Sequence, residues 1–162
     1  MQWIDQALPE GLLLRAMSEF EAGSFERYTE HPGRYGARIR DPELLAFLDG
    51  EMKERVARAL GEPSASLVLS AVWACADGED FEMPFHVDDV YKRISCVLYM
   101  GDGFQGTSYV DMSRGELVVP PRTNRLLFFR SRKVLHRVKR NIFRRFTVQF
   151  HYHDGEPRLD DP

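Results

Sequence analysis

The sequence is poor in cysteine, in long apolar runs and, over its last third, in acidic residues. Its two cysteines, Cys75 and Cys96, are too few for a disulfide framework and read as reduced, buried thiols. No apolar run approaches the roughly 20 residues that span a bilayer, and Leu12-Leu13-Leu14 is followed at once by Arg15. The N-terminus lacks a basic stretch ahead of an apolar one, so no secretory signal is expected and the expected location is the cytoplasm. These absences exclude membrane-spanning, collagen-like and disulfide-scaffold classes. What is present, 43% hydrophobic and 29% charged residues over 162 positions, suits one globular domain rather than a disordered chain.

The net charge of −3 argues against a polyelectrolyte binder but hides an asymmetry. From Leu117 to His153 there is no acidic residue, while Arg122, Arg125, Arg130, Arg132, Lys133, Arg137, Lys139, Arg140, Arg144 and Arg145 all fall there. Such a segment reads first as basic side chains balanced across the fold by the acidic N-terminal half. The sharper alternative is a rim that favours anions.

The first 62 residues read as a mostly helical support region. Leu12 to Phe20 repeats apolar positions at helical spacing, and Asp41-Pro42-Glu43 is a helix start, with Asp as N-cap and Pro at the first helical position. Leu44, Leu45, Phe47, Leu48, Met52, Val56 and Leu60 mark one apolar face, ended by Gly61 and Pro63, with Gly50 as a weak point inside it. Glu30 to Gly36 reads as loop. From residue 63 to 153 the pattern is of short strands: Ser66–Ala76, Phe85–Asp88, Arg93–Met100, Glu116–Val119, Arg125–Arg130, Val134–Lys139 and Arg145–His153. Breaks fall at Asp77-Gly78, Gly101-Asp102-Gly103, Pro120-Pro121 and Arg140-Asn141. The expectation is a mainly β (α+β) single domain, a sandwich or barrel with helices outside it and a polar tail over 154–162.

The last strand alternates strictly, placing Arg145, Thr147, Gln149, His151 and His153 on one face and Phe146, Val148, Phe150 and Tyr152 on the other. The polar face suits either bulk solvent or the lining of a wet interior. His86-Val87-Asp88 sets an imidazole and a carboxylate two apart on a strand, and His136 can bring a second imidazole from another strand. Two neutral imidazoles and a carboxylate form a facial triad suited to Fe(II), while Zn²⁺ can use the same donors with water. A hydrogen-bonded core histidine is the plainer reading of His136 taken alone.

His86-x-Asp88, His136 fifty residues on and Arg145 nine beyond it resemble the Fe(II)/2-oxoglutarate-dependent oxygenases, in particular their prolyl-hydroxylase-like branch. The resemblance covers about Phe85 to Tyr152. It implies a double-stranded β-helix, a jelly-roll or cupin-like barrel, with Fe(II) held by His86, Asp88 and His136 as the catalytic and metal-binding residues. It also implies 2-oxoglutarate as cosubstrate with O2, and Arg145 gripping its far carboxylate, as a permanently charged, bidentate guanidinium is fitted to do. Arg144, the adjacent alternative, points to the opposite face if the strand has already begun there. Arg93-Ile94-Ser95-Cys96-Val97-Leu98-Tyr99-Met100 is similar to the family's strand after His-x-Asp, and Tyr99 is implied as a second contact to that carboxylate. Glu116 to Pro121 and Asn124 to Phe129 match the strand, turn and strand before the distal His. Met100-Gly101 and Phe104-Gln105-Gly106-Thr107 depart from the family pattern.

Asp88 stands where halogenating relatives have a small residue, so the resemblance implies hydroxylation or another oxidation of an aliphatic C–H, with release of succinate and CO2. Arg145 lacks the second arginine six positions away that nucleic-acid-demethylating relatives carry: position 139 is Lys and 151 is His. A nucleic-acid or membrane partner is therefore not expected, and the substrate is a small molecule, an amino acid or a peptide residue. Gln149 and His151 are candidate substrate contacts, Asp89, Tyr91 and Lys92 a candidate rim, and His31 and His153 are expected at the surface. Two rivals stand beside this reading: a cupin-like metal enzyme that uses no keto acid, and a non-catalytic β-sandwich module for an anionic partner.

Overall fold

The computed structural model of the chain describes residues 1–27, 31–103, 105–140 and 142–155. Of the positions singled out above, Glu30, Phe104, Asn141 and the tail beyond Gly155 lie outside the described residues.

In chain order the elements are β1 (Gln2–Asp5), α1 (Glu10–Ala22), β2 (Glu26–Arg27), β3 (Arg34–Arg38), α2 (Pro42–Phe47), α3 (Lys53–Leu60), β4 (Leu67–Leu69) and β5 (Trp73–Asp77). They continue with β6 (Met83–His86), β7 (Lys92–Tyr99), β8 (Thr107–Asp111), β9 (Gly115–Val119), β10 (Arg125–Arg130), β11 (His136–Val138) and β12 (Arg145–Asp154). The strands form two antiparallel sheets. The major sheet runs β1-β10-β7-β12-β5-β3-β2, with β4 also paired to β12, and the minor sheet runs β6-β11-β8-β9. This is the expected jelly-roll architecture.

Alternation decides what each face of the major sheet does. Ile94, Cys96 and Leu98 of β7, Leu126 and Phe128 of β10, and Val148, Phe150 and Tyr152 of β12 are buried in one cluster with Ala16, Leu44, Leu48, Met52 and Val56 from the helices. The helices thus cover one face from outside, each large aliphatic side chain contributing about 1.5–3 kcal/mol by its burial. The opposite face looks toward the minor sheet, where Tyr99, Val119, Leu127 and Phe129 make a second, smaller cluster.

The Asp41 carboxylate caps α2 by accepting the Leu44 N–H at 2.8 Å, and Gly61 ends α3 in the left-handed region at φ 66°. A π turn over Leu48–Met52 joins α2 to α3, so the helical path continues past Gly50. The N-terminal 62 residues nevertheless also supply β1, β2 and β3, which the sequence does not announce as strands. Gly36, read as loop, lies within β3 opposite Cys75. The long Ser66–Ala76 segment divides into β4 and β5, and β8 appears where no strand was expected. Gly106, just before β8, is required by a close approach: a methyl there would overlap the Val119 carbonyl oxygen.

The basic C-terminal half is balanced across the fold. Arg125 pairs with Asp5 at 2.6 Å, Arg130 with Glu62 at 2.6 Å, and Arg137 and Lys139 with Glu116 at 2.6 and 3.1 Å. Among the described residues, no helix is long and apolar enough to cross a membrane.

Candidate metal centre and cosubstrate pocket

His86 is the last residue of β6 and His136 the first of β11, and the two strands pair so that these residues are direct partners. Their ring centroids lie 4.2 Å apart. Asp88 reaches the same point from the connection to β7, because β6 runs over Met83–His86 and ends earlier than the sequence suggests. One ligand atom from each of the three residues lies within 4.8 Å of the others. Asp88 Oδ1 is 3.6 Å from His86 Nε2 and 3.7 Å from His136 Nε2.

The surroundings fix which atoms face this point. His86 Nδ1 lies 2.9 Å from the Pro84 carbonyl oxygen and His136 Nδ1 3.0 Å from that of Val134. A carbonyl can only accept, so each Nδ1 carries a proton, and each ring turns its Nε2 toward Asp88. The Ser95 hydroxyl donates to Asp88 Oδ2 and is itself 2.7 Å from the buried Ser131 hydroxyl, which leaves Oδ1 for the centre. Burial pushes the Asp88 carboxyl up, but the neighbouring histidines and Ser95 outweigh it and hold Asp88 ionised well below the usual carboxylate range. Burial lowers His136, while the Asp88 carboxylate raises His86. Two imidazole nitrogens and one carboxylate oxygen, oriented by backbone and hydroxyl partners, fit a ferrous ion, and equally fit zinc.

The centre opens into a cavity of about 910 Å³ between the sheets. Arg145, Gln149 and His151 of β12 line it, so the polar face of that strand is interior lining rather than solvent face. Arg145 is 1% exposed. Its Nη1 donates to Asp77 Oδ2 at 2.8 Å and its Nη2 to Thr107 Oγ1 at 3.4 Å, while its Nε has no hydrogen-bond partner among the described residues. Arg144, one residue ahead of β12, is exposed. Tyr99 sits beside Arg145, the guanidinium carbon 5.8 Å from its ring centre, but its hydroxyl is engaged by Thr107: it donates to Oγ1 at 2.9 Å and accepts from the Thr107 N–H at 3.0 Å. Gln149 donates to Thr147 Oγ1 at 3.1 Å and accepts from Arg34 at 3.4 Å. Burial pushes His151 down to about 3, so it is neutral, and its Nδ1 has no partner among the described residues.

Asp89 and Lys92 line the cavity as the expected rim, while Tyr91 is partly exposed outside it. His31 is half-buried and lines the cavity, while His153, at 2% exposure, is not the surface residue that the sequence suggests. His153 closes the inward face of β12, and His31 lies ahead of β3, a strand the sequence does not reveal. Arg34, Asp77, Ser95 and Thr107 are the site residues that the sequence does not single out. Ser95 alone carried a signal, its shared face with Tyr99 on β7.

No protein-family model matches the sequence, and no curated protein matches it. Solved structures do match. A prolyl-4-hydroxylase from Pseudomonas putida superposes with a TM-score of 0.75 over 96% of this chain and 92% of its own, at 16% identity. A 2OG-Fe(II) oxygenase family oxidoreductase from Burkholderia pseudomallei gives 0.77 over 97% and 85%, also at 16% identity. The fold is that of the 2-oxoglutarate/Fe(II) oxygenases. HygX from Streptomyces hygroscopicus, solved with nickel, 2-oxoglutarate and hygromycin B bound, shares this oxygenase fold at a TM-score of 0.69 over 94% and 82%, with 13% identity.

Proposed function

We propose that the protein is an Fe(II)- and 2-oxoglutarate-dependent dioxygenase that hydroxylates an aliphatic C–H of a small molecule, amino acid or peptide residue, releasing succinate and CO2. The observation that carries this is a single cavity with a His-Asp-His donor set and a buried guanidinium whose Nε has no hydrogen-bond partner among the described residues. His86, Asp88 and His136 would hold the metal. When bound, it supplies the redox chemistry that couples decarboxylation of the keto acid to oxidation of the substrate.

The chain's own residues orient the reactants and keep out water. Arg145 takes the far carboxylate of 2-oxoglutarate, and Thr107, itself fixed by the Tyr99 hydroxyl, supports the guanidinium from behind. Val97 and Phe129 supply apolar wall, with the Phe129 ring 4.7 Å from His136. Gln149 and His151 present neutral polar groups to the substrate. Zinc could occupy the same donors without a keto acid; the spare hydrogen-bonding capacity of Arg145 favours the keto acid. Cys75 and Cys96 are buried and not bonded to each other, which suits a cytoplasmic protein.

Anaerobic addition of Fe(II) and 2-oxoglutarate should produce a visible charge-transfer band that His136→Ala abolishes. In air, succinate should form with substrate. Absence of the band from the wild-type protein, or its survival in His136→Ala, would overturn the assignment.

A further inference from the structure

Arg34, Asp77 and Arg145 face one another across three adjacent strands. Strand register sets Asp77 of β5 opposite both Arg34 of β3 and Arg145 of β12. Their side chains are 7%, 0% and 1% exposed, so one carboxylate serves two guanidiniums away from water. The sharing is unequal. Arg34 holds Asp77 with two prongs, Nε to Oδ1 at 2.7 Å and Nη2 to Oδ2 at 3.1 Å. Arg145 makes a single bond to Oδ2, at 2.8 Å, and its Nε–H has no partner among the described residues. Arg34 is also braced, its guanidinium carbon 4.5 Å from the centre of the Phe81 ring and its Nη1 3.4 Å from Gln149 Oε1.

A buried guanidinium closes a fork on any carboxylate it can reach, because paired charge-assisted bonds offset its lost hydration. Arg145 already touches Asp77, and the two-pronged grip of Arg34 on both oxygens of that carboxylate stands in the way of such a fork. We propose that Arg34 is a positioning residue: by occupying Asp77 it keeps Arg145 available to a carboxylate ligand in the cavity. This rests on the reading of Arg145 as the cosubstrate anchor.

The test is calorimetric titration of 2-oxoglutarate into Mn(II)-loaded protein, with thermal melting to confirm folding. Arg34→Met releases Asp77 to Arg145 and should weaken binding by about tenfold or more, the scale of one charge-assisted hydrogen bond. Arg34→Met/Asp77→Asn removes the competing carboxylate and should recover affinity to within about threefold of wild type, which a merely structural role for Arg34 would not do. Arg34→Lys keeps a cation in the core without the fork and should fall between wild type and Arg34→Met; it decides the matter alone if the Met variant does not fold. Wild-type affinity in the folded Arg34 variants, or no recovery in the double variant, overturns the proposal. Undiminished affinity in Arg145→Gln instead overturns the anchor on which it rests.

Discussion

The two oxygens of Asp88 have different duties. Oδ1 faces both imidazole Nε2 atoms, and Oδ2 is held by Ser95, which is in turn backed by Ser131. Without that hydroxyl the carboxylate can rotate away from the centre. Ser95→Ala should therefore weaken Mn(II) binding by roughly 10–100-fold with an unchanged circular dichroism spectrum, measured by titration under electron paramagnetic resonance. At this scale His86, Asp88 and His136 are legible in the sequence as two imidazoles and a carboxylate that can meet, and it is the resemblance to the oxygenases, not spacing alone, that singles out Arg145. Asp77 and Arg34 are not. They are 43 positions apart and meet only through the pairing of β3 with β5, and nothing local marks either as more than a loop or turn charge.

Elements with their own end signals are the legible ones. The Asp41 cap, Pro42 and the left-handed Gly61 mark α2 and α3 in sequence, while β1, β2, β3 and β8 carry no such end signals and are defined by the strands they pair with. Just beyond α3, Glu62 ties the helical layer to the major sheet: its Oε2 accepts from Arg93 Nε of β7 at 3.0 Å and its Oε1 from Arg130 Nε of β10 at 2.6 Å. Hydrogen bonds from Arg130 and Arg93 hold the Glu62 carboxyl below its ordinary value of 4.5. A depressed folded value means the stabilisation is complete above the unfolded pKa and is lost as pH falls through the folded one. With both arginines partly in water, Glu62→Gln should cost about 1 kcal/mol at neutral pH. Urea denaturation at a series of pH values should show that difference closing in acid as the wild-type carboxylate takes up its proton. A gap that stays constant into strong acid would mean that the ion pairs contribute nothing. Gly106→Ala should lower the melting temperature whatever the pH, because its methyl would collide with the Val119 backbone rather than with a yielding side chain.

At the scale of the whole molecule, the cavity is the seam between the two sheets. His86 and His136 belong to the minor sheet, Asp88 to the connection that crosses over, and Arg145 to the major sheet. A metal on the first three would fasten the minor sheet to the crossover, and a keto acid spanning to Arg145 would fasten the two sheets together. Neither arrangement survives unfolding, so each ligand should stabilise by mass action. At a hundredfold excess over its Kd one ligand adds about 2.7 kcal/mol, which for a chain of this length corresponds to a rise of roughly 5–10 °C in melting temperature. Differential scanning calorimetry should show one such rise with Mn(II) and a second when 2-oxoglutarate follows. Under the same ligand concentrations His136→Ala should lose the first step, and with it the second, since the keto acid then has no metal to chelate. Arg145→Gln should keep the metal step and lose most of the keto-acid step, because only one end of that ligand is still held. Equal keto-acid steps in wild type and Arg145→Gln would show that the seam is closed by the metal alone.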